Sequence, residues 1–174
     1  AAYVALNGKK VLLLDFDPQG NATSGYGIEK NELDVSCYDF LMGQTSAEHV
    51  IRPTMIEGLS ILPCNMDLAA AEVDLVSVPH RESSLRRALQ PIRDDYDFIF
   101  IDCPPSLGLL TLNALVAADS VIIPIQSEFF ALEGLSQLMN TIRIVKQRLN
   151  NSLTISGVIL TMYDTRTTMS KQVT

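Results

Sequence analysis

Five short apolar runs divide this sequence, at residues 11–17, 59–64, 97–102, 120–126 and 154–162, and helix-patterned stretches lie between them. That alternation leaves few folds open. Parallel strands need long crossover connections, and helices supply them. Helices on both sides of a sheet bury both strand faces, so the strands become apolar throughout, as in Phe98-Ile-Phe-Ile101. The expected fold is a doubly wound, mostly parallel α/β sheet.

Helices are expected near 36–42, 46–51, 66–77 and 82–94. A further helix should be capped by Ser106 and run to about 118. An amphipathic one should span 132–149, with Leu132, Leu135, Leu138, Met139, Ile142, Val145 and Leu149 inward. Residues 18–34 read as a polar stretch. The opening residues read as the last turns of a helix closed by Gly8, and residues 171–174 as the opening of another. Residues 1–174 are therefore expected to be one domain, incomplete at both ends.

The first strand ends in Asp15-Phe-Asp17, and Pro-Gln-Gly-Asn-Ala-Thr-Ser-Gly25 follows. Strand alternation places Asp15 and Asp17 on one face and Phe16 on the other. Two like charges so close repel, and a cation, a proton or a water chain between them relieves the cost. In open parallel sheets ligands bind at the carboxyl ends of strands, where these acids fall. Two solvated acids in a strand-to-loop turn fit the bare Asp-x-Asp equally well.

The third run ends in Asp102, giving four apolar residues and an acid. This Walker B pattern places an aspartate beside Mg²⁺ and nucleotide phosphates. An aspartate capping the next turn has the same pattern. With Asp15 and Asp17 at the same end of the sheet, three carboxylates would converge. No G-x-x-x-x-G-K-[S/T] phosphate loop occurs in residues 1–174.

A net charge of −7 argues against general nucleic-acid binding over the whole surface. Residues 143–174 differ, with five basic residues against one acid. This end suits phosphate contacts or a solvated helix face. Three cysteines, Cys37, Cys64 and Cys103, form no Cys-x-x-Cys pair and suit a reducing compartment. No apolar run approaches the length of a membrane span.

Four stretches together resemble the ParA/Soj family of chromosome and plasmid partition ATPases, a deviant-Walker branch of the P-loop NTPases. They are Asp15-Phe-Asp-Pro-Gln-Gly-Asn-Ala-Thr-Ser-Gly-Tyr-Gly27, Phe98-Ile-Phe-Ile-Asp-Cys-Pro-Pro-Ser-Leu-Gly108, Pro124-Ile-Gln-Ser-Glu-Phe-Phe-Ala-Leu-Glu-Gly134 and Leu160-Thr-Met-Tyr-Asp-Thr-Arg-Thr167. The resemblance implies a cytoplasmic, nucleoid-associated ATPase. Such a protein dimerises on ATP and Mg²⁺, binds duplex DNA without sequence preference, and hydrolyses ATP when a ParB-type partner stimulates it. It implies that Asp17 positions the attacking water, and that Asp15 and Asp102 hold the Mg²⁺ water shell. It also implies that Thr161 and Met162 line the nucleotide pocket and that Arg166 contacts DNA. The family's phosphate loop and its C-terminal portion have no counterpart in these residues, so the activity is expected of a longer parent.

Two other readings remain open at this point. Asp15 and Asp17 also suit a haloacid-dehalogenase-type phosphatase, as nucleophile and acid/base. Pro18-Gln19 departs from that family, and Asp94-Asp95 falls near a helix end. The third reading is a ParA-like module that binds without turnover. Among relatives, the Gln-Gly-Asn-Ala-Thr-Ser-Gly run favours partition over Min-type division regulators and iron–sulfur proteins.

Overall fold

The computed structural model describes residues 1–126 and 131–162. They fall into two compact units, within Ala1–Ala117 and Ala118–Thr174.

The first unit opens with α1 (Ala2–Leu6). Gly8 follows at φ +79°, and its N–H donates to the Ala5 carbonyl at 2.8 Å. Glycine takes this left-handed conformation without a Cβ penalty, so the helix stops where the sequence predicts. Then come β1 (Val11–Asp15), α2 (Asn21–Gly25), α3 (Cys37–Leu41), α4 (Ala47–Val50), β2 (Arg52–Pro53) and β3 (Leu59–Leu62). They are followed by α5 (Ala71–Asp74), α6 (Ser84–Leu89), β4 (Phe98–Asp102) and α7 (Leu109–Ala117). The sheet order is β2-β3-β1-β4. β1 runs parallel to both neighbours, and β2 is an antiparallel edge on β3. β2 escapes sequence reading because two residues, one of them proline, carry no periodicity.

Alternation along β1 divides the core. Leu12 and Leu14, with Phe16 just beyond the strand, are fully buried in the larger cluster with Leu62, Leu68, Leu75, Leu85 and Leu110. Val11 and Leu13 join the opposite cluster with Ala5, Leu59 and Phe100. Asp15, two residues past Leu13, continues that second row.

Two expected helices are helical throughout but not α-helical throughout. Residues 66–77 combine a 3₁₀ turn (Met66–Ala70), α5, and a second 3₁₀ turn (Leu75–Ser77). Residues 81–95 combine Arg81–Ser83, α6, and Gln90–Asp95, where Pro91 has no N–H to continue the α pattern. The Ser106 cap is corrected. α7 begins at Leu109, because Gly108 accepts the first helical bond, from the Leu112 N–H at 3.0 Å.

The second unit holds β5 (Ser120–Gln126), α8 (Ala131–Arg148) and β6 (Thr154–Thr161). β5 and β6 pair in parallel with one irregularity between Val121 and Ile122. Ile142 and Val145 of α8 are buried, whereas Met139 and Leu149, expected inside, are 42% and 37% exposed. The buried Asn150 donates its Nδ2 to the Ala118 carbonyl at 2.7 Å, tying the end of α8 to the start of β5.

Candidate functional site

Parallel pairing of β1 with β4 sets Asp15 opposite Asp102 in register. Matched residues on adjacent strands share a face, so the two carboxylates emerge side by side at the carboxyl end of the sheet. The Phe16 N–H donates to the Asp102 carbonyl at 2.8 Å and continues the pairing one residue further.

Asp15 is fully buried. Its Oδ2 accepts from both the N–H and the Oγ1–H of Thr23, each at 2.7 Å, and its Oδ1 takes a long 3.4 Å contact from the Asp17 N–H. Thr23 Oγ1 in turn accepts from the Cys64 N–H at 2.9 Å. One carboxylate thus ties the end of β1 to the first turn of α2 and to the segment after β3. The Thr23 N–H belongs to a helix start, where backbone donors lack intrahelical partners. Gly20, the residue before α2, offers no side chain to cap it. Asp15 supplies the cap from across the loop.

The sequence reading needs one correction. β1 ends at Asp15, so strand alternation does not place Asp17. Asp17 stands in the turn that follows. The Gly20 N–H donates to the Asp17 carbonyl at 2.8 Å, and the Gln19 N–H donates to Asp17 Oδ1 at 2.9 Å. This Asx-type turn fixes the carboxylate through one oxygen. Oδ2 has no partner among the described residues. Gly20 closes the turn at φ +59°, and a Cβ there would meet the Cys64 carbonyl at 2.8 Å, so only glycine fits.

Asp102 is exposed at the mouth of this arrangement. Its pKa is raised above the ordinary carboxylate value, first by desolvation and then by the negative charges of Asp15 and Asp17. Burial, and after it the negative charges of Asp102 and Asp17, push the neighbouring Cys103 thiol up to about 12. A raised acid pKa means that the fold favours protonated Asp102. This group therefore weakens the fold above its folded pKa, and the loss disappears as pH falls toward the unfolded value. Asp102→Asn is expected to raise the melting temperature at pH 7 without ligand, with the gain vanishing near pH 3.5. Melting curves at the two pH values check the sign.

Among the described residues no group of three His, Cys, Asp or Glu side chains is placed to hold a metal ion. Mg²⁺ does not require one. It keeps several waters and is bound through one or two carboxylates plus substrate phosphates. Asp102, exposed and repelled by its neighbours, fits that demand, and a cation there offsets the repulsion.

Burial overturns the covalent-nucleophile reading. A nucleophilic Asp15 must reach a phosphorus atom, yet it is wholly covered and its oxygens accept from Thr23 and Asp17. Thr161 ends β6 in the second unit, where its Oγ1 donates to the Ile125 carbonyl at 3.3 Å. Met162 follows, exposed and at φ +52°. Arg166 lies outside the described residues. Sequence reasoning missed Thr23 and Lys30, because residues 18–34 carry no apolar period. The one signal there was Gly20 amid polar residues, which marks a tight backbone approach.

A family model described as an AAA domain matches residues 1–155. The sporulation initiation inhibitor protein Soj of Bacillus subtilis is 54% identical over 172 residues, covering 99% of this chain and 68% of the relative. The chromosome partitioning protein ParA of Myxococcus xanthus is 50% identical over 173 residues, covering 99% and 61%. The chain thus spans about two thirds of these relatives. Among solved structures, a protein described as cobyrinic acid a,c-diamide synthase from Mycobacterium smegmatis, with bound ADP and magnesium, matches with a TM-score of 0.94 at 44% identity. That match covers 99% of this chain and 70% of the other. A plasmid partition protein from Borrelia burgdorferi matches with a TM-score of 0.85 at 29% identity, covering 99% and 73%.

Proposed function

Because this chain belongs to the ParA/Soj family of partition ATPases, we propose that its carboxylate end forms the magnesium side of an ATP site in the encoded protein. Residues 1–174 then belong to a single ATPase domain. The observation that carries this reading is the register of Asp15 with Asp102, beside a turn that holds Asp17 by one oxygen. The choice of ligand is supported by a solved relative, since one M. smegmatis structure holds an ATP analogue and magnesium.

In this reading Asp102 hydrogen-bonds waters around Mg²⁺. Asp15, already engaged by Thr23, adds negative charge and holds the loop. Asp17 receives the proton side of the attacking water through its free Oδ2 and aligns that water with the γ-phosphate. When bound, the ion screens the phosphate charge. The family resemblance assigns a nucleotide-binding role to Thr161 and Met162. The phosphate cradle comes from outside these residues, because they contain no Gly-rich loop ending in Gly-Lys-Ser/Thr.

The partners follow the same reading: a second copy joined on ATP binding, non-specific duplex DNA, and a ParB-type protein that stimulates turnover. It also places the protein in the cytoplasm at the nucleoid. Among the described residues no helix is long and apolar enough to cross a membrane. Positive charge at residues 143–174 supports the DNA assignment, with Arg143, Lys146 and Arg148 exposed on or beside the last turns of α8.

Arg166→Ala in the encoded protein is expected to weaken duplex binding and reduce the salt slope by about one unit, with basal ATP hydrolysis unchanged. A salt titration on two unrelated duplexes, run beside phosphate release, tests both halves. Equal slopes would remove Arg166 from the DNA surface. DNA binding without any phosphate release would favour the non-catalytic module.

A further inference from the structure

We propose that Lys30 is a positioning residue for hydrolysis, acting by clamping the Asp17–Gly20 turn from outside. Lys30 opens a 3₁₀ turn (Lys30–Glu32) that lies beyond α2 in sequence. Its Nζ donates to the Gln19 carbonyl at 2.5 Å. Its stem lies over Gly20, so close that a Cβ on Gly20 would stand 2.5 Å from Lys30 Cδ. That contact joins the same four residues that orient Asp17. Gln19 gives its N–H to Asp17 Oδ1 and its carbonyl to Lys30, while Gly20 gives its N–H to the Asp17 carbonyl.

The consequence is geometric. The peptide planes on either side of Gln19 are fixed by two opposed bonds, one inward to Asp17 and one outward to Lys30. If the outward bond is lost, the Gln19 carbonyl turns to water and the planes are free to rock. Asp17 Oδ1 rocks with them, because its anchor is the Gln19 N–H. A displacement of about 1 Å in a group that aligns a reacting water costs up to about a hundredfold in rate. Lys30 has no acidic partner among the described residues, so its loss disturbs no ion pair. It is partly exposed, so its replacement leaves no buried cavity.

This inference rests on the reading of Asp17 as the water-positioning acid, and the experiment separates the two. Steady-state ATP hydrolysis with Mg²⁺ is measured on the encoded protein and on Lys30→Met, Lys30→Arg and Asp17→Ala, with melting curves for each. Methionine keeps an apolar stem over Gly20 and removes the donor. The expected result is a kcat lower by about 10- to 100-fold in Lys30→Met. KM should stay within about twofold, and Lys30→Arg should recover most of the rate because it restores a donor. A merely structural role would lower melting and move KM with kcat, and arginine would not rescue it. That pattern overturns the inference, as does an unchanged kcat in Lys30→Met while Asp17→Ala is inactive. If Lys30→Met does not fold, the inference stands or falls on Lys30→Gln, whose shorter amide donor should give an intermediate kcat at constant KM. Inactive wild type, or active Asp17→Ala, overturns the reading beneath it instead.

Discussion

Asp17→Ala in the encoded protein is expected to lower ATP turnover by about 10²- to 10⁴-fold, the range for removing a positioned proton acceptor. Nucleotide affinity is expected to stay within about threefold. The split follows from where Asp17 stands. It is held in a turn by the Gln19 N–H on one oxygen, and the other oxygen is open. A group so placed acts on the reacting water and makes little ground-state contact with the nucleotide, so its loss falls on the chemical step. Asp17 is also partly exposed, and among the described residues its side chain accepts only from the Gln19 N–H within the turn, so alanine should leave the fold near wild-type stability. Single-turnover hydrolysis with a nucleotide titration decides the matter. Unchanged hydrolysis removes Asp17 from the mechanism, and a large loss of affinity makes it a binding residue.

Asp15→Ala is expected to act on the fold instead. Its carboxylate satisfies two buried donors of Thr23, and leaving a buried donor unpaired costs about 1–3 kcal/mol each. Relief of repulsion against Asp102 offsets part of this, but Asp102 is exposed and water screens it. The hydrogen-bond loss therefore dominates, at about 2–5 kcal/mol. At about 2–4 °C per kcal/mol for a chain of this size, melting falls by roughly 5–15 °C. Asp15→Asn keeps an acceptor for Thr23 and should lose less. Thermal melts of the three proteins test this. An Asp15→Ala variant that melts with wild type would mean that Thr23 and Cys64 hold the loop without it.

The two aspartates looked equivalent in sequence, and the difference between them marks what a one-dimensional pattern carries. The strand at 98–102 was legible because an unbroken apolar run between helical stretches reads as a parallel strand, but its burial on both faces was not borne out, since Phe98 is exposed and Ile99, Phe100 and Ile101 are only half-buried. Gly8 was legible because a helix end calls for a left-handed residue. The pairing of Asp15 with Asp102 was not, since register depends on two segments 87 residues apart in sequence. Likewise α2 was hidden. Asn-Ala-Thr-Ser-Gly is a poor helix former, and it becomes helical through the tertiary bond from Thr23 to Asp15. Lys30 gave no signal, because its partner is a backbone carbonyl, which any residue could offer.

The central claim is that Mg²⁺ and the terminal phosphate of ATP sit at the carboxyl ends of β1 and β4. A crystal structure of the encoded protein with magnesium and a non-hydrolysable ATP analogue tests it most directly. The account predicts the ion about 4–5 Å from the Asp102 carboxylate, one water between them, with Asp17 Oδ2 turned toward the γ-phosphate. An ion or γ-phosphate at the opposite end of the sheet, with Asp17 and Asp102 contacting only solvent, would contradict it.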